Sequence, residues 1–404
     1  MNPLRVLHVV PHLDRVGGYE RQALTLAQSQ LRGGRVAPIL LTHRDDPQQP
    51  TTERGLFGEI HRLEKGLLRH NPKNWWRRLG PSIQLVHAHG LHKLSGQLLA
   101  MADDAGVPSI VKVATGDDVA MFSDPAGWQG LLDGEAQAGS RGMRWRMMMS
   151  SAWRRLRRAG AFVALNGAIA DQLTRQGLNS VRLPNGVDTK SFRPADDEQR
   201  QAARDALQIP QTSTVITYVG RIAPRKDTPT LVRAFLRLLA RGDQRSHLVI
   251  AGAGQDLPLL RSLVDGARQS RRATFFGEVD DVRPVLSASD IFVHPSRREG
   301  MPNTVLEALA SGLAVVLSDI DAHTEMLDQR SAALTFRTGD EAALAARLAG
   351  LVQSPQRRAP LAVAARELAE ARYEIAAVAA SYEKLYTELA RTSHGTLATQ
   401  QASN

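Results

Sequence analysis

The chain has 404 residues, 43% hydrophobic and 23% charged, with no cysteine and a formal net charge of +10. That length exceeds what one hydrophobic core usually supports, so two domains are expected in a folded globular protein. Disulfides, thiolate nucleophiles and thiolate metal sites are excluded, as is a membrane-spanning helix, because no run of about 18 apolar residues occurs. The opening MNPLRVLHVV has neither the charged n-region nor the cleavage site of a secretory signal, so a cytoplasmic protein is expected. The charge is uneven. Residues 1–190 hold 25 Lys/Arg against 16 Asp/Glu, whereas residues 191–404 hold 26 against 25. A positive charge confined to one half points to an anionic partner for that half.

In chain order, RVLHVV (5–10) reads as a strand. Gly17 and Gly18 then open a helix with Leu24, Ala27 and Leu31 on one face, stopped by Gly33 and Gly34. VAPILLT (36–42), IQLVHAH (83–89), PSIVKVAT (108–115) and AFVALN (161–166) read as further strands. Continuous apolar strands joined by helices indicate a parallel sheet covered on both faces. LPNGVDTKSFRPADDE (183–198) is polar and turn-rich and marks a linker. The pattern restarts with TVITYVG (214–220), a helix over 228–241, and strands at HLVIAGAG (247–254), ATFFGEV (273–279), DIFVHPS (290–296) and LAVVLSD (313–319). RYEIAAVAASYEKLYTELA (372–390) reads as a single amphipathic helix, with Ile375, Val378, Tyr382, Leu385 and Leu389 at helical spacing. The expected architecture is α/β, two doubly wound domains facing a central cleft. The first covers 1–190 and is completed by 372–390, the second covers 191–371, and 391–404 form a flexible tail.

The chemistry gathers in SRREGMPNTVLE (296–307), where two glutamates flank the start of a helix. Asn303 is the expected N-cap and Gly312 the residue that ends the helix. The exposed N–H groups and positive dipole end of such a helix form an anion site. Glu299 before it and Glu307 one turn into it could each accept two hydroxyl donors from a diol. Sugar, diphosphate and ribose would match that order. In GRIAPRKD (220–227), Arg221 and Lys226 sit between a strand and a helix that Asp227 or Thr228 caps, where they would neutralise phosphates. Gly252 and Gly254 read only as a close-approach loop.

At these residues the chain resembles the retaining glycosyltransferases of family 4, which have the GT-B fold. The resemblance runs through the Gly-Gly loop at 17–18, QLVHAHG (84–90), FVALNGAIADQL (162–173), LPNGVDTKSF (183–192), YVGRIAPRKD (218–227), FFGEVDDV (275–282) and SRREGMPNTVLEALASGLAVV (296–316). It implies that Glu299 sits by the donor sugar and that Arg221 and Lys226 hold the diphosphate leaving group. It also implies that Glu307 binds the ribose and that Gly300, Met301, Pro302 and Asn303 line the sugar and phosphates. Gly17 and Gly18 would close over the diphosphate, and Val279 would touch the base. The donor would be a nucleotide sugar such as a UDP- or GDP-sugar, with no metal or other cofactor, and the last helix would cross back to the first domain. Many relatives carry a histidine at the end of the strand that here reads VKVATGDD, where this chain has Thr115. Thr115, Asp118 and His89 are therefore the acceptor-side candidates, with His87 beside them.

Two basic, tryptophan-bearing stretches remain, 141–160 with seven arginines and HNPKNWWRRLG (70–80). A basic amphipathic helix of this kind can lie on an anionic membrane. This gives the expectation of a peripheral enzyme on the inner face of the cytoplasmic membrane, docked through 141–158 and acting on a glycan or lipid-linked acceptor. Nucleic acid is not an expected partner, because no reading module accompanies the charge. The alternatives are a nucleotide-sugar epimerase or hydrolase of the same fold, and a non-catalytic carbohydrate-binding protein.

Overall fold

The computed structural model describes residues 2–13, 17–44, 46, 48–64, 72–115, 157–328 and 331–401. The chain divides into two compact units, one made of 1–186 with 375–404 and the other of 187–374.

The first unit is built on an eight-stranded sheet. Its strands are β1 (Leu4–Val9), β2 (Val36–Arg44), β3 (Thr52–Gly55), β4 (Gly58–Glu64), β5 (Leu85–His89), β6 (Ser109–Val113), β7 (Ala161–Ala164) and β8 (Ser180–Arg182), in the order β3-β4-β2-β1-β5-β6-β7-β8. All neighbours pair in parallel except the edge hairpin β3–β4. The apolar runs form the central strands because these are covered on both faces. The hairpin and β8 were not expected, since TERG, GEIHRLE and SVR carry no such run.

Helix Gly18–Gly33 begins and ends where its glycines place it, but its buried residues are Glu20, Gln22, Ala23, Leu26, Ala27 and Gln30. Leu31, expected inward, is 40% exposed. The face is turned because the Gln30 amide is buried against β1 and the last helix, with Oε1 3.0 Å from His8 Nε2 and Nε2 3.4 Å from Tyr386 Oη.

The second unit holds β9 (Thr214–Val219), β10 (Ser246–Ala251), β11 (Ala273–Gly277), β12 (Ile291–His294), β13 (Ala314–Ser318) and β14 (Ala333–Phe336), in the order β11-β10-β9-β12-β13-β14. This is the doubly wound arrangement, reversing between β9 and β12. Val215 and Val219 pack with one core layer, and Ile216 and Tyr218 with the layer on the opposite face.

The expected helix at 372–390 is in fact the end of one and most of another, Pro355–Tyr373 and Ile375–Gln401, broken at Glu374. The Glu374 carboxylate accepts from the Thr189 backbone N–H and hydroxyl. The Val187 N–H donates to Tyr373 O at 2.7 Å, so the two segments that leave the second unit run side by side. The second of these helices belongs to the first unit, where Val378, Tyr382, Leu385 and Tyr386 pack on Val6, Leu85, Ile110 and Val163.

Candidate active site

In a doubly wound sheet the crevice lies at the carboxyl ends of the strands where the order reverses. Here those strands are β9 and β12, and the two motifs singled out in the sequence follow them directly. The loop after β9 carries Arg221 and Lys226, and the loop after β12 carries Ser296 to Pro302. Three contacts fix their relation. The Arg297 N–H donates to Arg225 O at 2.8 Å, Ser296 Oγ lies 3.0 Å from the same oxygen, and the Arg297 guanidinium pairs with Asp227 at 2.9 Å. Asp227 occupies the N-cap position of helix Thr228–Ala240 but makes no capping hydrogen bond. The AGAG loop after β10 presses on the same region. A Cβ on Gly252 would lie 1.9 Å from Gly220 O and one on Gly254 2.0 Å from Ile222 O, and φ values of 146° and 153° independently favour glycine at both positions.

Lys226 and Glu299 meet. Lys226 Nζ donates to Glu299 Oε1 at 2.6 Å, and the two side chains are only 12% and 6% exposed. His294 Nε2 lies 3.1 Å from the same oxygen and Ser296 Oγ 2.5 Å from it. Burial alone would raise the Glu299 pKa, but the hydrogen bond from His294 and the charge of Lys226 outweigh it and hold the carboxyl well below its usual range. Burial lowers Lys226, while Glu299 opposes that shift, so the pair stands as ammonium and carboxylate at neutral pH. His294 is fully buried, and burial lowers its pKa. A carboxylate only accepts, so the neutral ring carries its hydrogen on Nε2. The ring stacks on Tyr218 at 5.8 Å, and the Tyr218 hydroxyl donates to Arg221 O at 2.8 Å. The Arg221 side chain is exposed.

Helix Asn303–Ala310 starts one residue earlier than expected. Pro302 holds the N-cap position, and Asn303 is the first helical residue rather than the cap. Proline's fixed φ is compatible with that entry. Gly312, at φ 65°, ends the helix as anticipated. Gly300 and Pro302 are buried, Met301 and Asn303 half-buried, and Glu307 is 4% exposed one turn in. Val279 follows β11 and packs partly on the core. The sequence contains an Asp-x-Asp pair, Asp319 and Asp321, that the expectation of no metal passed over. Asp319 accepts from the Thr338 N–H at 2.8 Å and from its hydroxyl at 2.7 Å.

In the first unit Gly17 is the N-cap and Gly18 the first residue of helix Gly18–Gly33. Thr115 is half-buried just past β6, and Asp118 lies outside the described residues. His89, expected to face the acceptor, is 1% exposed instead, with Nε2 2.9 Å from His8 Nδ1. Alternation on a parallel sheet places His8, His87, His89 and Lys112 on one face, under Gln30, Tyr382 and Tyr386. The three histidines bring ring nitrogens within 4.8 Å of one another, a spacing a metal ion could bridge. One pair of those nitrogens is already joined in a hydrogen bond, and the nearby Lys112 adds a like charge, so the group is a polar knot in the core. Burial keeps all three imidazoles neutral and lowers Lys112 to about 7.

The stretch 141–156 also lies outside the described residues. Of the arginines after it, Arg157 donates to Gln176 O at 2.6 Å and Arg158 reaches Asp103 at 3.3 Å. Trp75, expected on a membrane-facing surface, is 6% exposed and packs edge-on against His61. No helix among the described residues is long and apolar enough to cross a membrane.

Residues 16–191 match the family model "Glycosyltransferase Family 4", and residues 213–354 match "Glycosyl transferases group 1". A D-inositol 3-phosphate glycosyltransferase of Catenulispora acidiphila is 30% identical over 84% of this chain and 78% of its own length. The chain belongs to glycosyltransferase family 4. A second member, a GDP-mannose-dependent phosphatidylinositol monomannoside mannosyltransferase of Corynebacterium glutamicum, is 31% identical over 47% of this chain, which spans about half (51%) of that relative. Solved structures share the family's GT-B fold. The Anabaena protein HepE with UDP-glucose superposes with a TM-score of 0.75 at 15% identity, covering 96% of this chain and 100% of that one. A sucrose-phosphate synthase from Thermosynechococcus elongatus gives 0.73 at 21% identity, covering 96% and 99%. Within this family member, sequence reasoning placed Lys226 and Glu299 at the crevice but gave no role to His294 or Ser296. Both lay inside quoted motifs, and the signal was a buried donor three and five positions before the glutamate.

Proposed function

We propose that this protein is a retaining glycosyltransferase that moves a sugar from a nucleoside diphosphate sugar to a hydroxyl of a glycan or lipid-linked acceptor. The observation that carries the reading is the Lys226–Glu299 pair at the strand-order reversal, beside the first turn of helix Asn303–Ala310. Each part has a task in that reaction. As the bond between the sugar's anomeric carbon and the phosphate oxygen breaks, its electron pair stays on the departing diphosphate. Arg221, Lys226 and the N–H groups opening the helix stand where that charge develops, in a partly dehydrated site where such donors act most strongly. The acceptor oxygen bonds to the anomeric carbon on the face the phosphate leaves, and its proton passes to the departing phosphate. Glu299 then serves to bind the sugar and needs no role as a base. In this reading Glu307 takes the ribose hydroxyls, and the leaving-group charge is met by protein groups rather than a resident metal.

The names of relatives support a nucleotide-sugar donor and a lipid or glycan acceptor, since one is a GDP-mannose-dependent mannosyltransferase and another an alpha-monoglucosyldiacylglycerol synthase. An anionic membrane surface met by the basic stretch at 141–158 is part of the same proposal. Purified protein incubated with a panel of nucleotide sugars and lipid or oligosaccharide acceptors should give a glycosylated product that keeps the donor's anomeric configuration by NMR, with turnover unchanged by EDTA. Free sugar or an epimerised donor as the main product would overturn transfer. Flotation with anionic liposomes tests docking. It should be lost when Arg154, Arg155, Arg157 and Arg158 become serine, and unchanged flotation would remove the patch from the account.

A further inference from the structure

The two oxygens of Glu299 have unequal surroundings. Lys226 Nζ, His294 Nε2 and Ser296 Oγ, at 2.6, 3.1 and 2.5 Å, all end on Oε1. An ionised carboxylate oxygen offers about two acceptor sites, so Oε1 is saturated and Oε2 is the oxygen left for a ligand. The three donors differ in freedom. Lys226 is a point charge on a flexible stem, for which an arriving phosphate competes. His294 cannot leave, because its buried ring lies between Tyr218 and the ring of His323, 5.4 Å away. Ser296 is held through its own carbonyl, which accepts from Ser318 Oγ at 2.5 Å.

We infer that His294 and Ser296 are positioning residues, which keep Glu299 Oε1 anchored when Lys226 turns to the leaving diphosphate, so that Oε2 stays directed at the donor sugar. The inference rests on the donor-site reading of Glu299 and Lys226. It divides the work of one carboxylate, with one oxygen spent on the protein and the other on substrate. The groups acting on that carboxylate are Lys226 from the loop after β9, Tyr218 from β9, His294 from β12 and His323 from helix Asp321–Leu327, and Arg225 and Arg221 act in turn on Lys226. Among them the lysine and arginines carry the charge at neutral pH. The two histidines are held neutral by burial, which also pushes Tyr218 upward.

Four variants separate positioning from general support of the fold. His294→Phe keeps a ring against Tyr218 but removes the donor, and His294→Gln restores an N–H near the place of Nε2. Ser296→Ala removes the hydroxyl, and Ser296→Thr restores it. Calorimetry would compare the affinity of UDP, GDP and ADP with that of UDP-, GDP- and ADP-linked sugars, from pH 4 to 8. The ratio for the best-bound pair is the contribution of the sugar. Phe and Ala should cut that ratio at least tenfold while bare nucleotide affinity stays within twofold. The pH below which the ratio collapses should rise, because Glu299 has lost a donor to its ionised form. Gln and Thr should recover most of both. An unchanged ratio in folded Phe and Ala variants overturns the inference and leaves the donor-site reading standing, as does an equal loss of nucleotide and nucleotide-sugar affinity. A wild-type ratio of one also overturns it, since Oε2 would then meet no sugar. If the wild-type protein binds no nucleotide at all, the donor-site reading falls with it. Should His294→Phe fail to fold, the Ser296 pair decides alone.

Discussion

Each unit of this protein buries a lysine beside histidines near the carboxyl end of a central strand, and the two lysines fare differently. Lys112 lies under Tyr382 with His8, His87 and His89 for neighbours and forms no ion pair among the described residues, and burial lowers it to about 7. Lys226 has Glu299 at 2.6 Å, which counters burial and keeps the ammonium. A histidine made neutral by burial supplies hydrogen bonds but little charge, so it cannot keep a lysine protonated. One carboxylate therefore marks the difference between a core residue and a charged lysine at the candidate site. The carboxylate in turn stays ionised because His294 and Lys226 both donate to it.

The largest test is to make the second site like the first. Glu299→Gln should reduce transfer by about 10²–10³, the order seen when a charge-stabilising group is removed from a transition state. It should also make nucleotide affinity weaken as pH rises above neutral, because Lys226 then loses its proton as Lys112 does. Titration calorimetry at pH 6 and 9 checks this, and a pH-independent affinity would break the comparison. Lys112→Met should stabilise the protein, since replacing an unpaired buried charge with an apolar chain of similar length removes a desolvation cost. The sign follows from proton binding. The unfolded chain holds the Lys112 proton up to about 10.5 and the folded chain only to about 7, so the penalty is full below pH 7 and fades toward 10.5. Melting temperature should rise by about 5 °C at pH 6, and by less at pH 9. A change of similar size and opposite sign is expected from Tyr386→Phe. The Tyr386 hydroxyl lies 2.7 Å from His87 Nδ1 and 3.4 Å from Gln30 Nε2, and leaving a buried partner unmet costs about 1–3 kcal/mol by denaturant unfolding.

How much could be read from the sequence follows the same division. The meeting of Lys226 and Glu299 at the candidate site was legible because its parts are local. Arg221 and Lys226 sit in one loop, Glu299 in another that ends at Asn303, the first residue of its helix, and both loops follow apolar strands whose period is plain. Which donors Glu299 would take was not legible, because that depends on side-chain direction at His294 and Ser296. The knot around Lys112 joins His8, Gln30, His87, His89 and Tyr386, drawn from three strands and two helices, and no spacing along the chain announces it. The same tertiary demand misled the reading of helix Gly18–Gly33, where buried Gln30 rather than exposed Leu31 marks the inner face. The strand β14 and the hairpin β3–β4 escaped notice for the opposite reason, since strands at or next to a sheet edge need no continuous apolar run. At Glu374 a helix break was hidden by apolar residues that keep helical spacing on both sides of it.

That break has a consequence for how the chain is made. The second unit is one continuous segment, 187–374, and its core is complete once that segment has been synthesised. The first unit starts earlier and finishes later, because Val378, Tyr382 and Tyr386 fill its core from the far end of the chain. During translation, which runs at about 5–20 residues per second, the first-made sheet must wait with its His8–Lys112 face lacking Tyr382 and Tyr386 for roughly 200 residues of further growth. The unit translated second can thus fold first, and a released chain ending before residue 378 would hold the core clusters of the second unit whole but not that of the first.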